Sequence, residues 1–190
     1  MPLIISGDAL PIKDQWTSAF AWVTDITPTI LELAGVSPPR QHFGGRRVEP
    51  ITGRSLLPLI SGATDRVYGE SDSIGYELAG NAALFQGDYK IVLNRPPVGD
   101  DRWHLYNIVT DPGETRDLAR EMPERLQQML EQYEIYATEN GVLPVPAHYD
   151  QTFQGIDNGI RKRYTPQLLL AIATLLVLLP FYIGYRVLRK

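Results

Sequence analysis

The chain has 190 residues, a net charge of −4, and 44% hydrophobic and 21% charged residues, which suits one domain or a domain with a tail. An acidic balance without a basic stripe excludes a nucleic-acid binder. The absence of cysteine excludes disulfides, thiolate-ligated zinc, iron–sulfur clusters and a thiol nucleophile. The three histidines, His42, His104 and His148, form no HExxH pair and no other spaced ligand set.

No signal peptide opens the chain: Met1 leads into Leu3-Ile-Ile5, which is too short and lacks a positive n-region. That segment reads as a buried strand entered in mid-domain, with an N-terminal part missing. Ala19 to Val23 reads as a short strand. Thr27-Pro28 starts a helix, with a cap and then proline in the first turn, and Gly35 ends it. Pro38, Pro39, Gly44 and Gly45 mark a loop. A short apolar helix over Leu56 to Ile60 follows, then a strand over Val67 to Glu70. Ala82 to Gln86 and Tyr89 to Leu93 flank Gly87-Asp88, a hairpin turn of the primed kind. Trp103 to Tyr106 gives a further strand, which runs into Asp111-Pro-Gly113. In that turn Asp bonds the backbone, Pro presets φ and Gly accepts positive φ. The helix over Pro123 to Glu139 carries Leu126, Met129, Leu130, Tyr133 and Ala137 on one stripe, and Asn140-Gly141 stops it.

Pro144 to Gly159, with Pro, Gly, Gln and Asn, reads as a linker. Leu168 to Tyr185 is uncharged across 18 residues, roughly 27 Å of helix and close to the hydrocarbon thickness of a bilayer. Thr165-Pro166 supplies a cap and a first-turn proline. Leu168, Leu175 and Leu179 lie in a shaft that is apolar all round, and Phe181, Tyr182 and Tyr185 form an interfacial belt. Pro180 introduces a kink that bilayers tolerate. Three basic residues precede the span and three follow it, so charge alone does not orient it.

Three ordered blocks resemble the arylsulfatase family, within the alkaline-phosphatase-like superfamily. The first is Asp25-x-x-Pro28-Thr29-Ile30-Leu31-x-Leu33-Ala34-Gly35. The second runs from Tyr76-Glu-Leu-Ala-Gly80 through Ala83-Leu-Phe-Gln-Gly-Asp-Tyr-Lys-Ile91. The third is Trp103 to Leu118, continued by Tyr136-Ala-Thr-Glu-Asn-Gly-Val142. The resemblance covers about residues 1–143 and is nearest to the bacterial arylsulfatases. It implies an α/β sulfatase-like fragment, with part of a central sheet over residues 1–65 and an antiparallel sheet with one packing helix over 66–143. A linker over 144–164 and a transmembrane helix over 165–187 complete the organisation.

The same resemblance implies hydrolysis of a sulfate ester, on a small molecule or a glycan, by a formylglycine made within a C/S-x-P-S-R motif and a calcium ion held by Asp and Asn side chains. This chain carries neither the motif nor the paired aspartates; Ser37-Pro-Pro-Arg40 is a partial echo. No catalytic or metal-binding residue carries over, and no cofactor is assigned to the chain itself. The implied partners are a sulfate ester, a lipid bilayer and an N-terminal catalytic half, with the globular part periplasmic or extracellular. Two alternatives stand beside this: a non-catalytic tail-anchored module, and a phosphodiesterase-like member of the superfamily.

His42, Arg46 and Arg47, around Gly44-Gly45, are the candidates for touching an anion, since glycines expose backbone donors and arginines supply charge. Asp25 reads as a carboxylate complementing a helix dipole, and Lys90 as a solvated edge charge. His104 reads as a surface or satisfied histidine. Glu114, Arg116 and Asp117 read as a surface ion cluster, and Tyr133 and Tyr136 as helix packing.

Overall fold

The computed structural model describes residues 3–7, 10, 15–146 and 149–189. Pro2, His148 and Lys190 lie outside the described residues. The chain divides into two compact units, Met1–Asp72 with Gln86–Asp88, and Ser73–Phe85 with Tyr89–Lys190.

In the first unit a 3-10 turn, Val23–Asp25, leads into helix α1, Ile26–Leu33. Gly35 takes φ +66°, and Val36 N–H returns to the Leu31 carbonyl at 2.8 Å, which closes the helix end. Strands β1, His42–Phe43, and β2, Arg46–Arg47, form a small antiparallel ribbon where sequence reads only a loop. Helix α2, Leu57–Ile60, starts on Pro58 in its first turn. The expected strands at Leu3–Ile5, Ala19–Val23 and Val67–Glu70 do not form. A strand needs a neighbour to take its N–H and C=O groups, and no described segment of the chain pairs with these runs. Ile4 is 89% and Trp16 90% exposed.

The second unit holds an antiparallel sheet ordered β3-β4-β5-β6: β3 Ser73–Leu78, β4 Asn81–Gln86, β5 Tyr89–Leu93 and β6 Trp103–Asn107. Ala79 and Gly80, both at positive φ (+51° and +81°), turn β3 into β4 as a type I′ hairpin requires. Gly87 at φ +57° turns β4 into β5. Pairing of β5 with β6 sets Ile91 opposite Leu105 and Lys90 opposite Tyr106, so alternate residues face opposite sides. Helix α3, Pro123–Glu139, covers one side. Met129 completes a buried cluster with Leu84, Ile91 and Leu105, and Leu126, Leu130, Tyr133, Tyr136 and Trp103 pack around it.

Helix α4, Gln151–Leu188, is one continuous element. It begins inside the segment read as linker. Asp150, not Thr165, is its N-cap and accepts from Phe153 N–H at 2.9 Å. Pro166 and Pro180 both lie within it. The stretch Gln151–Tyr185 is long and apolar enough to cross a membrane, and its most apolar window is wholly unburied.

Candidate functional site

The anion-contact candidates sit on the β1–β2 ribbon. Antiparallel register pairs His42 with Arg47 and Phe43 with Arg46, so His42 and Arg47 share one side of the ribbon and Arg46 takes the other. All three are exposed. None has a side-chain hydrogen bond or ion pair with another described residue, so nothing fixes the three around one point in space.

The most constructed polar cluster of the first unit is one that sequence reading underrates. The Asp25 side chain is fully buried. Its carboxylate accepts from Trp22 N–H at 2.7 Å, from Arg54 N–H at 2.8 Å and from the Tyr68 hydroxyl. Asp25 also anchors α1, because its carbonyl accepts from the Thr29 hydroxyl at 2.6 Å, and that hydroxyl accepts from Leu56 N–H at 2.8 Å. Gly53 lies so close to Thr24 that a Cβ there would collide with the Thr24 carbonyl. Arg54 reaches away to Asp72 through a fork, with Nη2 at 2.7 Å from Oδ1, and its guanidinium lies over the Tyr68 ring at 4.8 Å. Burial and then the Asp25 hydrogen bond push the Tyr68 hydroxyl well above the usual tyrosine range, so it stays a donor. The hydrogen bond from Arg54 is the largest influence on Asp72 and holds its carboxyl below the usual range. Both oxygens of Asp25 accept hydrogen bonds, three in all, so its role goes beyond complementing a dipole: it ties three distant segments together. The sequence signal was a Pro28-Thr29 pair after an Asp; the partners, 29 and 43 residues away, carry no local mark.

In the second unit His104 stands between two carboxylates, with Nδ1 2.8 Å from Asp117 and Nε2 2.9 Å from Asp100. The Asp100 contact, then that of Asp117, outweighs burial and raises its pKa. Asp117 also accepts from Leu105 N–H at 3.0 Å and Ala119 N–H at 2.9 Å. Those donors and His104 together overcome burial and hold its carboxyl low. Lys90 corrects the reading of an edge charge: it lies on an inner strand, is buried, and pairs with Glu114 at 2.5 Å. Glu114, Arg116 and Asp117 do not cluster with one another; they pair with Lys90, Glu121 and His104 respectively. Glu114, not Gly113, takes the positive φ of the turn (+53°), while Asp111 accepts from Thr115 N–H and Arg116 N–H at 2.7 and 2.8 Å.

Among the described residues no group of three or more His, Asp or Glu is disposed to hold a metal ion. The described residues therefore do not fit a calcium ion, and a chain without cysteine does not fit a cysteine-derived formylglycine. No chemical step is assigned through either group on this chain.

No family model matches the chain. It is 34% identical over 146 residues to an uncharacterised sulfatase of Schizosaccharomyces pombe, covering 76% of this chain and 26% of that protein. It is 29% identical over 141 residues to arylsulfatase K of Xenopus laevis, covering 68% of this chain and 24% of that one. The chain thus spans about a quarter of the length of these curated relatives. Among solved structures, a 2-O GAG sulfatase aligns with a TM-score of 0.46 at 22% identity, over 65% of this chain and 27% of that one. A Bacteroides thetaiotaomicron protein of glycosaminoglycan metabolism aligns with a TM-score of 0.46 at 19% identity, over 60% and 24%. By shared sequence the chain belongs to the sulfatase family.

Proposed function

We propose that this chain is the C-terminal portion of a membrane-anchored, arylsulfatase-like enzyme that hydrolyses a sulfate ester to an alcohol or phenol and sulfate. The observation that carries the reading is the 34% identity across 76% of the chain, in line with the three ordered motif blocks. The bond-breaking groups belong to an N-terminal half, the formylglycine and calcium ligands among them. This C-terminal portion supplies packing, with residues 1–65 closing the central domain, 66–143 forming the terminal sheet and 165–187 crossing the bilayer. The globular part faces the periplasm or exterior, where a sulfated small molecule or glycan reaches it. Should the ribbon meet the sulfate, His42 and Arg47 would do so together, since register sets them on one side.

A chimera tests this. Residues 3–146 replace the matching segment of the Schizosaccharomyces pombe relative, and sulfate release from a chromogenic aryl sulfate is compared with the parent. Retained release in a protease-resistant chimera is the expected result, with none from this chain by itself. A folded chimera that releases no sulfate while its parent does, or release by this chain alone, overturns the proposal.

A further inference from the structure

Resting on the anchor reading, we propose that residues 151–164, the first turns of α4, are an interfacial helix that binds anionic lipid headgroups. Phe153, Ile156, Ile160 and Tyr164 recur at helical spacing and form a bare apolar stripe, exposed at 68%, 56%, 52% and 52%. At about 100° per residue, Arg161 and Arg163 fall on the two flanks of that stripe, and Lys162 on the side opposite. Arg161 pairs with Asp157 at 2.7 Å, which neutralises the one acid beside the stripe, and the Arg163 guanidinium lies 5.7 Å from the Tyr164 ring. Gln154 and Asn158, joined at 2.9 Å, lie away from the stripe.

An apolar stripe edged by arginines suits the boundary between headgroups and acyl chains: the rings and branched chains enter, while the guanidinium groups reach phosphate. The stripe is also continuous with the span, which brings it to the surface of the bilayer. Pro166 has no N–H to offer the Lys162 carbonyl, so the hydrogen-bond ladder is interrupted between stripe and span. Bending at that point on the bilayer would lay the stripe down on the membrane. A second copy pairing stripe to stripe would set Arg161 and Arg163 against their like, whereas anionic lipid meets them with opposite charge.

The chain has no cysteine, so one label can be placed without background. Full-length chain carrying Ile160→Cys, or Asn158→Cys as the opposite side, is labelled with a polarity-sensitive dye. It is reconstituted in phosphatidylcholine vesicles with and without phosphatidylglycerol, and nitroxide lipid reports depth. Quenching at position 160 is expected in phosphatidylglycerol vesicles, with loss in neutral lipid, loss in high salt, and loss in the triple variant Arg161→Gln, Lys162→Gln, Arg163→Gln. Position 158 stays unquenched, and free inorganic phosphate at matched ionic strength leaves the quenching in place. A label at 160 that stays in water in both lipids, or whose burial follows protein density instead of lipid charge, overturns the inference. Resistance to carbonate extraction, measured on the same vesicles, reads the span separately: extraction overturns the anchor reading and this inference with it.

Discussion

Asp25 shows how one side chain can govern a segment without catalysing anything. Its oxygens accept from two backbone N–H groups and the Tyr68 hydroxyl in a buried place. Asp25→Ala therefore leaves those donors without an acceptor and is expected to cost about 3 kcal/mol. Tyr68→Phe, which removes a single donor, is expected to cost about 1 kcal/mol; denaturant melts of both variants check the ranking, and equal losses would contradict it. Ala79 is the reverse case. It holds φ +51° in a turn where an L side chain with a Cβ is strained, so Ala79→Gly is expected to stabilise by about 0.5–1 kcal/mol, read as a higher melting midpoint. His104 makes stability depend on pH. Contact with Asp100, and then with Asp117, raises its folded pKa above the unfolded value of about 6.5. Its contribution is thus fully present below that value and fades as pH rises through the raised one. Asp100 and Asp117 run the other way: both are held low, so their contribution is present above the ordinary aspartate range and fades as pH falls. His104→Asn should flatten the difference in melting midpoint between pH 6 and pH 9 relative to the parent chain, and an unchanged slope would count against the pairing.

At the scale of elements, the unit of sheet and helix is held by a small number of buried contacts. Met129 is the α3 residue that completes the Leu84–Ile91–Leu105 cluster, so Met129→Ala is expected to cost about 2–5 kcal/mol, whereas Glu131→Ala on the exposed side of the same helix should stay within about 0.5 kcal/mol. These elements were legible in sequence because their signals are local: Gly87-Asp88 for the hairpin, Pro123 and Asn140-Gly141 for the ends of α3. What was not legible is what depends on partners. An apolar run such as Leu3-Ile-Ile5 states that it wants a neighbour and not whether the chain supplies one. Strand β3 is hard to see in sequence, since Gly75 and the exposed Glu77 weaken its alternation; the structure shows why glycine is there, as a Cβ at Gly75 would press into the Tyr136 ring. Lys90 likewise depends on partners: a lysine in a strand reads as an edge charge, and only β4 and β6 on either side make it an inner one. Of the candidate site, the ribbon residues were found but their register was not, and Arg46 proves to lie apart from His42 and Arg47.

At the scale of the whole molecule, the two units differ in how much apolar surface they hide. The second unit buries Ala82, Ala83, Leu84, Ile91, Val92, Leu105 and Met129. In the first, Leu56 is the buried hydrophobic residue among those described, and Leu3, Ile4, Trp16, Val23, Ile30 and Val36 are open to solvent. Hydrophobic burial is the main favourable term in folding and must exceed the entropy of ordering the chain, so the sheet unit should hold together on its own and the first unit should not. A fragment of residues 73–143 is accordingly expected to melt in one cooperative transition, while a fragment of residues 1–143 keeps the first unit's apolar side chains exposed and aggregates. Hydrogen exchange on the full chain in detergent gives the same contrast from inside the molecule: slow amides in β4, β5, β6 and α3, fast ones through residues 15–72. The buried hydrogen bonds around Asp25 are the exception to watch, since Arg54 N–H and Leu56 N–H have side-chain acceptors. Protection confined to those two amides would mean the clamp holds locally without a core. Protection spread evenly over both units would mean the first unit has a core of its own, and the account of it as a packing partner for an N-terminal half would have to be given up.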